Sequence, residues 1–161
     1  MRSTTIDQHS VKFLTQETLA PMLALRGTNE PLAKLIDGRD PMGVPDSWFM
    51  DNGLTNLTLF RHYLMAWLAD RPDIIKDMYI VVRTLKPTPS GIPLEIYCFT
   101  SSVLWMEYEN TQSAIFEYIT AVAGQFSLRL YQHPAGHDFW RLSQEYSFGT
   151  ASRLRVKDNC L

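Results

Sequence analysis

An α+β sandwich in the order β-α-β-β-α-β is the fold this sequence predicts, and three observations carry it. Two extended apolar segments, residues 78–85 and 94–100, are joined by residues 86–93, which hold three prolines and a glycine. A long amphipathic stretch follows at once, and a short strand at 128–132 follows that. A further strand and helix precede all of these, so a strand-helix-strand unit occurs twice. Right-handed crossovers would then lay both helices on one face of an antiparallel sheet, the split βαβ or ferredoxin-like order.

The first strand is expected over residues 6–15, with Val11 and Phe13 on one side and Lys12 and Leu14 on the other. Residues 16–53 read as an insertion: short helices at 17–25 and 30–36 are separated by Arg26-Gly-Thr-Asn29, and Gly38 closes the second. Residues 37–53 have loop chemistry, although Trp48, Phe49 and Met50 need apolar shelter. Asn56 is the expected cap of a helix with Leu57, Phe60, Tyr63, Leu64, Trp67 and Leu68 at helical spacing, ended by Asp70-Arg-Pro72.

The segments 78–85 and 94–100 are rich in β-branched and aromatic residues. The prolines between them suit a turn and cannot continue a central strand. Thr100, Ser101 and Ser102 offer hydroxyl caps to the second helix, whose apolar stripe reads Trp105, Tyr108, Gln112, Ile115, Phe116, Ile119, Val122, Ala123 and Phe126. Phe60, Trp67, Trp105, Phe116 and Phe126 should share a core with Ile80, Val82, Leu94, Ile96 and Cys98. The opposite sheet face would carry Tyr79, Val81, Glu95, Tyr97 and Phe99, too aromatic for free exposure. The insertion, the tail or another chain should cover it.

This assigns residues 1–138 to one α/β domain, with 16–53 as its insertion, and 139–161 to a C-terminal tail. At 161 residues, 45% hydrophobic and 20% charged, the chain is long enough for one domain with a full core. A formal net charge of -2 gives no electrostatic reason to expect nucleic acid. Cys98 and Cys160 are too few for a disulfide framework, so a reducing compartment is expected. The first residues lack the apolar centre of a signal peptide. No apolar run approaches the ~18 residues of a membrane helix, so the chain as given is expected to be soluble.

No residue constellation supports catalysis. His133 and His137, with Asp138 beside them, have metal-compatible spacing, but Pro134 and Gly136 break a helix there and no third ligand is evident. Cys98 sits mid-strand on the expected inner face, where a buried thiol is the plain reading. Asp40, Asp46 and Asp51 lack the register of a calcium loop. Gly91, Gly124 and Gly136 are isolated and form no phosphate-binding loop. Glu107 and Glu109 point about 200° apart on a helix and cannot act as an acid and base pair. The expectation is no enzyme, no cofactor and no metal.

A resemblance takes the reading further. Leu54-Thr-Asn-Leu-Thr-Leu-Phe-Arg-His-Tyr-Leu64, Gly91-Ile-Pro-Leu-Glu-Ile-Tyr-Cys-Phe-Thr100, Trp105-Met-Glu-Tyr-Glu109 and Leu128-Arg-Leu130 recur in order with shorter runs between them. The chain is similar in these runs to the C-terminal cytoplasmic domain of the small-conductance mechanosensitive channel (MscS) family, in its miniconductance, YbdG-like branch. Arg2-Ser3, Ile6-Asp7 and Ser10-Val-Lys-Phe-Leu14 resemble the segment that enters this domain from the channel's middle β-domain.

The resemblance implies a homo-oligomeric, typically heptameric, channel of the bacterial inner membrane that opens under membrane tension in hypo-osmotic shock. This domain would wall the cytoplasmic vestibule, with membrane contact made only through N-terminal helices outside this chain. The 16–53 region and the tail after Asp138 depart from that pattern. The alternative reading is a small-molecule regulatory module, since ferredoxin-like folds host many functions and fold does not fix function. A third, a metal-dependent hydrolase, would need His133 and His137.

Overall fold

A computed structural model describes residues 2–133; the expected tail, its boundary at 138, and His137 and Asp138 lie outside the described residues. Of these, residues 2–131 belong to one compact unit. Three strands, β1 (Arg2–Ile6), β2 (Val81–Thr84) and β3 (Ile92–Tyr97), form an antiparallel sheet in the order β1-β3-β2. The helices are α1 (Gln16–Leu23), α2 (Asn29–Leu35), α3 (Asp46–Asp51), α4 (Asn56–Asp70) and α5 (Trp105–Ala123). With α4 and α5 as crossovers, the order is ferredoxin-like within the α+β class, and α1 to α3 form the segment between β1 and α4.

The first strand lies earlier than the apolar pattern suggested. Asp7 accepts a hydrogen bond from the His9 backbone N–H at 2.9 Å and starts a 3-10 turn over Gln8–Ser10, which ends the strand at Ile6. The expected strand beyond it keeps one antiparallel bridge, Phe13 to Thr55, and Leu14 alone of its apolar residues is fully buried. The expected last strand shrinks similarly to the bridge Ile6–Leu130, flanked by bonds from Asp7 N to Arg129 O and from Tyr131 N to Thr5 O. That bridge still occupies the fourth-strand position of the ferredoxin-like order, beside β1.

Pro93 sits inside the central strand, contrary to the expectation that proline would end it. Thr5 turns its carbonyl outward to Tyr131, so Thr5 and Pro93 are a non-hydrogen-bonded pair, and the missing proline donor faces the β2 side. There β2 has already ended at Thr84, and the Pro93 carbonyl accepts from Leu85 N at 2.9 Å. The proline therefore forgoes only the reciprocal bond to Leu85, at the last rung of the ladder. Gly91, at φ +120°, closes the turn with Thr88, and a Cβ there would stand 2.3 Å from the Ile6 carbonyl oxygen. Glycine therefore sets how closely the hairpin turn approaches β1.

Thr15 and Thr18 form a reciprocal capping box at the start of α1. Thr55, not Asn56, caps α4. Asn56 is instead a buried tie: its amide donates to the Ser10 and Phe126 carbonyls at 3.0 and 2.9 Å, and its oxygen accepts from Lys12 N and Leu57 N. Residues 37–53 hold α3 as well as loop, and α3 buries Phe49. Phe60 and Tyr63 of α4 meet Phe126 at 5.0 Å ring separation, over Val82, Leu94 and Ile96 of the sheet. Trp67 stacks on Tyr118 at 4.0 Å, Tyr118 and Tyr63 share a hydroxyl hydrogen bond, and the Arg71 guanidinium lies over Trp67. On the β2 edge, Arg61 of α4 donates from Nε to the Val82 carbonyl at 3.1 Å.

Candidate functional site

The strand register divides the sheet into two faces. Val82, Leu94 and Ile96 point to the helices and are buried. Ser3, Thr5, Val81, Arg83, Pro93, Glu95 and Tyr97 share the other face. On it Arg83 lies across Glu95, bonding Oε2 through Nε at 2.5 Å, so the carboxylate is buried while 55% of the arginine side chain stays in water. Tyr97 and Phe99 meet edge to face at 5.1 Å, and Tyr97 is 39% exposed. The insertion packs through α1 and α2 against Gly124–Phe126 and α4, in the helical layer. Among the described residues, then, the insertion is not the cover of this aromatic face.

A second apolar surface lies at the start of α5. Val103, Leu104, Trp105 and Met106 are 99, 61, 71 and 67% exposed. Trp105 is therefore not in the core, as the stripe had suggested, and Phe116 is only half-buried; Ile115, Ile119, Val122 and Ala123 carry the packed half of the helix. Length explains the difference. Nineteen residues of helix reach about 28 Å, whereas the six of β3 reach about 20 Å, so the first turns of α5 overhang the sheet. The expected hydroxyl cap also shifts: Ser102 Oγ accepts from Leu104 N, Leu104 takes the cap position without a side-chain bond, and Thr100 turns to the Ser102 carbonyl. The sequence carried a signal for this surface, because four consecutive apolar residues spread around a helix and cannot share one stripe.

Beneath the overhang is a cavity of about 40 Å³ lined by Ile96, Cys98, Thr100, Tyr108, Gln112, Ile115 and Phe116. The Gln112 side-chain oxygen is buried in this region with no hydrogen-bond partner among the described residues. Cys98 is half-buried on the inner face, as expected, and burial pushes its thiol above the ordinary range, the opposite of nucleophilic activation. A larger cavity of about 230 Å³ lies among Leu23, Asn29, Leu32, Ala33, Arg39 and Pro41 of the insertion. Its lining is mostly apolar, and Arg39 is placed over the Trp48 ring at 5.1 Å.

The remaining sequence candidates are dispersed into structural roles. Asp40 accepts from Met42 N and caps a 3-10 turn, Asp46 accepts from Gln16 N at the start of α1, and Asp51 ends α3. Gly124 caps α5, and Glu107 stands in its first turn. Among the described residues no three His, Cys, Asp or Glu side chains gather as a metal site, and His133 is the last residue described. Among them, too, no helix is long and apolar enough to cross a membrane.

Residues 54–129 match the family model described as mechanosensitive ion channel MscS, C-terminal. The matched segment covers α4, the β2–β3 hairpin and α5, and so both apolar surfaces. That segment is thus similar to a channel domain. No solved structure matches the chain.

Proposed function

We propose that this chain is the vestibule-wall domain of a mechanosensitive channel of the MscS family, in its miniconductance, YbdG-like branch, on the cytoplasmic side of a bacterial inner membrane. Membrane helices outside this chain form the pore and respond to tension in hypo-osmotic shock. The domain itself catalyses nothing; it assembles copies of the channel, seven in the typical ring, and shapes the space that solutes cross on their way to the pore.

The observation that carries this reading is the aromatic sheet face that the insertion leaves uncovered, within a segment similar to the MscS C-terminal domain. Tyr97 and Phe99, with the Arg83–Glu95 pair beside them, combine aromatic anchors with a polar rim, the composition of a contact between proteins. Light scattering over a wide concentration range tests it. Wild type should gain mass with concentration, and Tyr97→Lys should stay monomeric with an unchanged melting temperature. A wild type that remains monomeric throughout would refute assembly through this domain.

A further inference from the structure

We infer that the ridge Val103–Met106 of one copy docks on the outer sheet face of a second copy, around Tyr97, Phe99 and Arg83, making a head-to-tail contact. This rests on the proposed assembly role and names the surfaces that perform it. Four consecutive side chains at 61 to 99% exposure leave on the order of 500 Å² of apolar surface in water, comparable with the largest patch on a typical monomer. One partner in a standard stable interface contributes about 800 Å². The ridge therefore supplies most of one side, and the aromatic face supplies the anchors of the other.

Charge favours the unlike surface of a second copy over a lipid surface or a like surface. Glu107 follows the ridge directly and is exposed, and Ser101 and Ser102 precede it. No lysine or arginine flanks it, as a segment settling on an anionic lipid surface would require. A two-fold contact of ridge on ridge would offer Glu107 no cation, since the ridge and its flanks carry none. On the sheet face, Arg83 spends its Nε on the buried Glu95 and holds more than half of its side chain in water, with exposed Lys86 just beyond the strand. An acid-flanked ridge against an arginine-edged aromatic face is complementary; ridge on ridge and face on face are not.

A head-to-tail contact predicts a mixing result that a two-fold contact cannot give. Trp105→Glu destroys the ridge and leaves the face; Tyr97→Lys destroys the face and leaves the ridge. Each alone should be monomeric by analytical ultracentrifugation, with association weakened about 100-fold or more, as expected for a central aromatic anchor. Mixed in equal amounts they should form a one-to-one dimer that does not grow, because one intact ridge meets one intact face and the outer surfaces are both disabled. Circular dichroism and melting temperature of each variant establish that it folds. Wild type that assembles while folded Trp105→Glu assembles equally well, or a mixture that stays monomeric, would overturn this inference and leave the assembly role standing. Wild type that never assembles would overturn both.

Discussion

Asn56→Asp changes two hydrogens and an atom, yet it should be among the most damaging substitutions available. The wild-type amide is 1% exposed and spans three parts of the chain: it donates to Ser10 O and Phe126 O and accepts from Lys12 N. An aspartate keeps the acceptor and replaces the donor with a carboxylate oxygen facing two carbonyls. Two hydrogen bonds disappear at about 1 kcal/mol each, and two buried acceptors confront a negative charge at about 1–3 kcal/mol each. The α4 N-terminus returns up to about 1 kcal/mol. The expected net loss is about 3–7 kcal/mol at pH 7, a large share of the ~5–15 kcal/mol that holds a domain together. Urea unfolding followed by far-UV circular dichroism reads this as a fall of about 1.5–3.5 M in midpoint for a slope of ~2 kcal/mol/M. The sign with pH is distinctive. The new carboxyl has a folded pKa raised above its unfolded value of about 3.9, so the penalty is full at neutral pH and shrinks on acidification, as the carboxyl becomes a donor to one carbonyl. A variant within 1 kcal/mol of wild type at pH 7, or one whose deficit grows between pH 7 and pH 5, would refute the account of Asn56 as a tie.

Two further substitutions probe other parts of the fold. Gly91→Ala forces a Cβ to within 2.3 Å of Ile6 O at a φ of +120°, so β1 must move or the turn must open, at about 2–3 kcal/mol, read as a lowered melting temperature. Burial, then Arg61 and Lys34, hold the His62 imidazole below its ordinary range. A depressed folded pKa means that stability is complete above about pH 6.5 and declines as pH falls. His62→Gln should flatten that decline between pH 6.5 and 5; an unchanged slope of stability against pH would assign the decline to other groups.

Most of the core was legible before the structure, because Phe60, Leu64, Leu68, Val82, Leu94, Ile96, Ile119 and Phe126 obey simple periods and all are buried. The strand ends were not. β1 runs through Ser3, Thr4 and Thr5, which alternate weakly, while residues 11–14 alternate better and lie beyond the Asp7 turn. Pro93 defeated a sound rule for a reason visible only in the register: its absent donor falls at the last rung beside β2, opposite Leu85, where one bond at most is forgone. Trp105 was misplaced because periodicity tells which residues align, not how far the sheet beneath them extends. The docking surfaces share that limit. Tyr97 and Phe99 could be assigned to one face from alternation, whereas the exposure of Val103–Met106 depends on the relative lengths of α5 and β3.

Arg61 has a bearing on how copies of this chain can grow. A sheet whose outer strand shows free carbonyls and amides invites an identical strand to join it, and then another, which ends in a ribbon without limit. By occupying the Val82 carbonyl from the helical side, Arg61 closes that route at the middle of β2. In the assembly proposed above, association would then fall to surfaces whose relative tilt is fixed by the fold, and a repeated tilt can bring the last copy back to the first. The guanidinium thus guards β2 from the neighbouring helix, and in such an assembly it would favour a finite shell over a fibre.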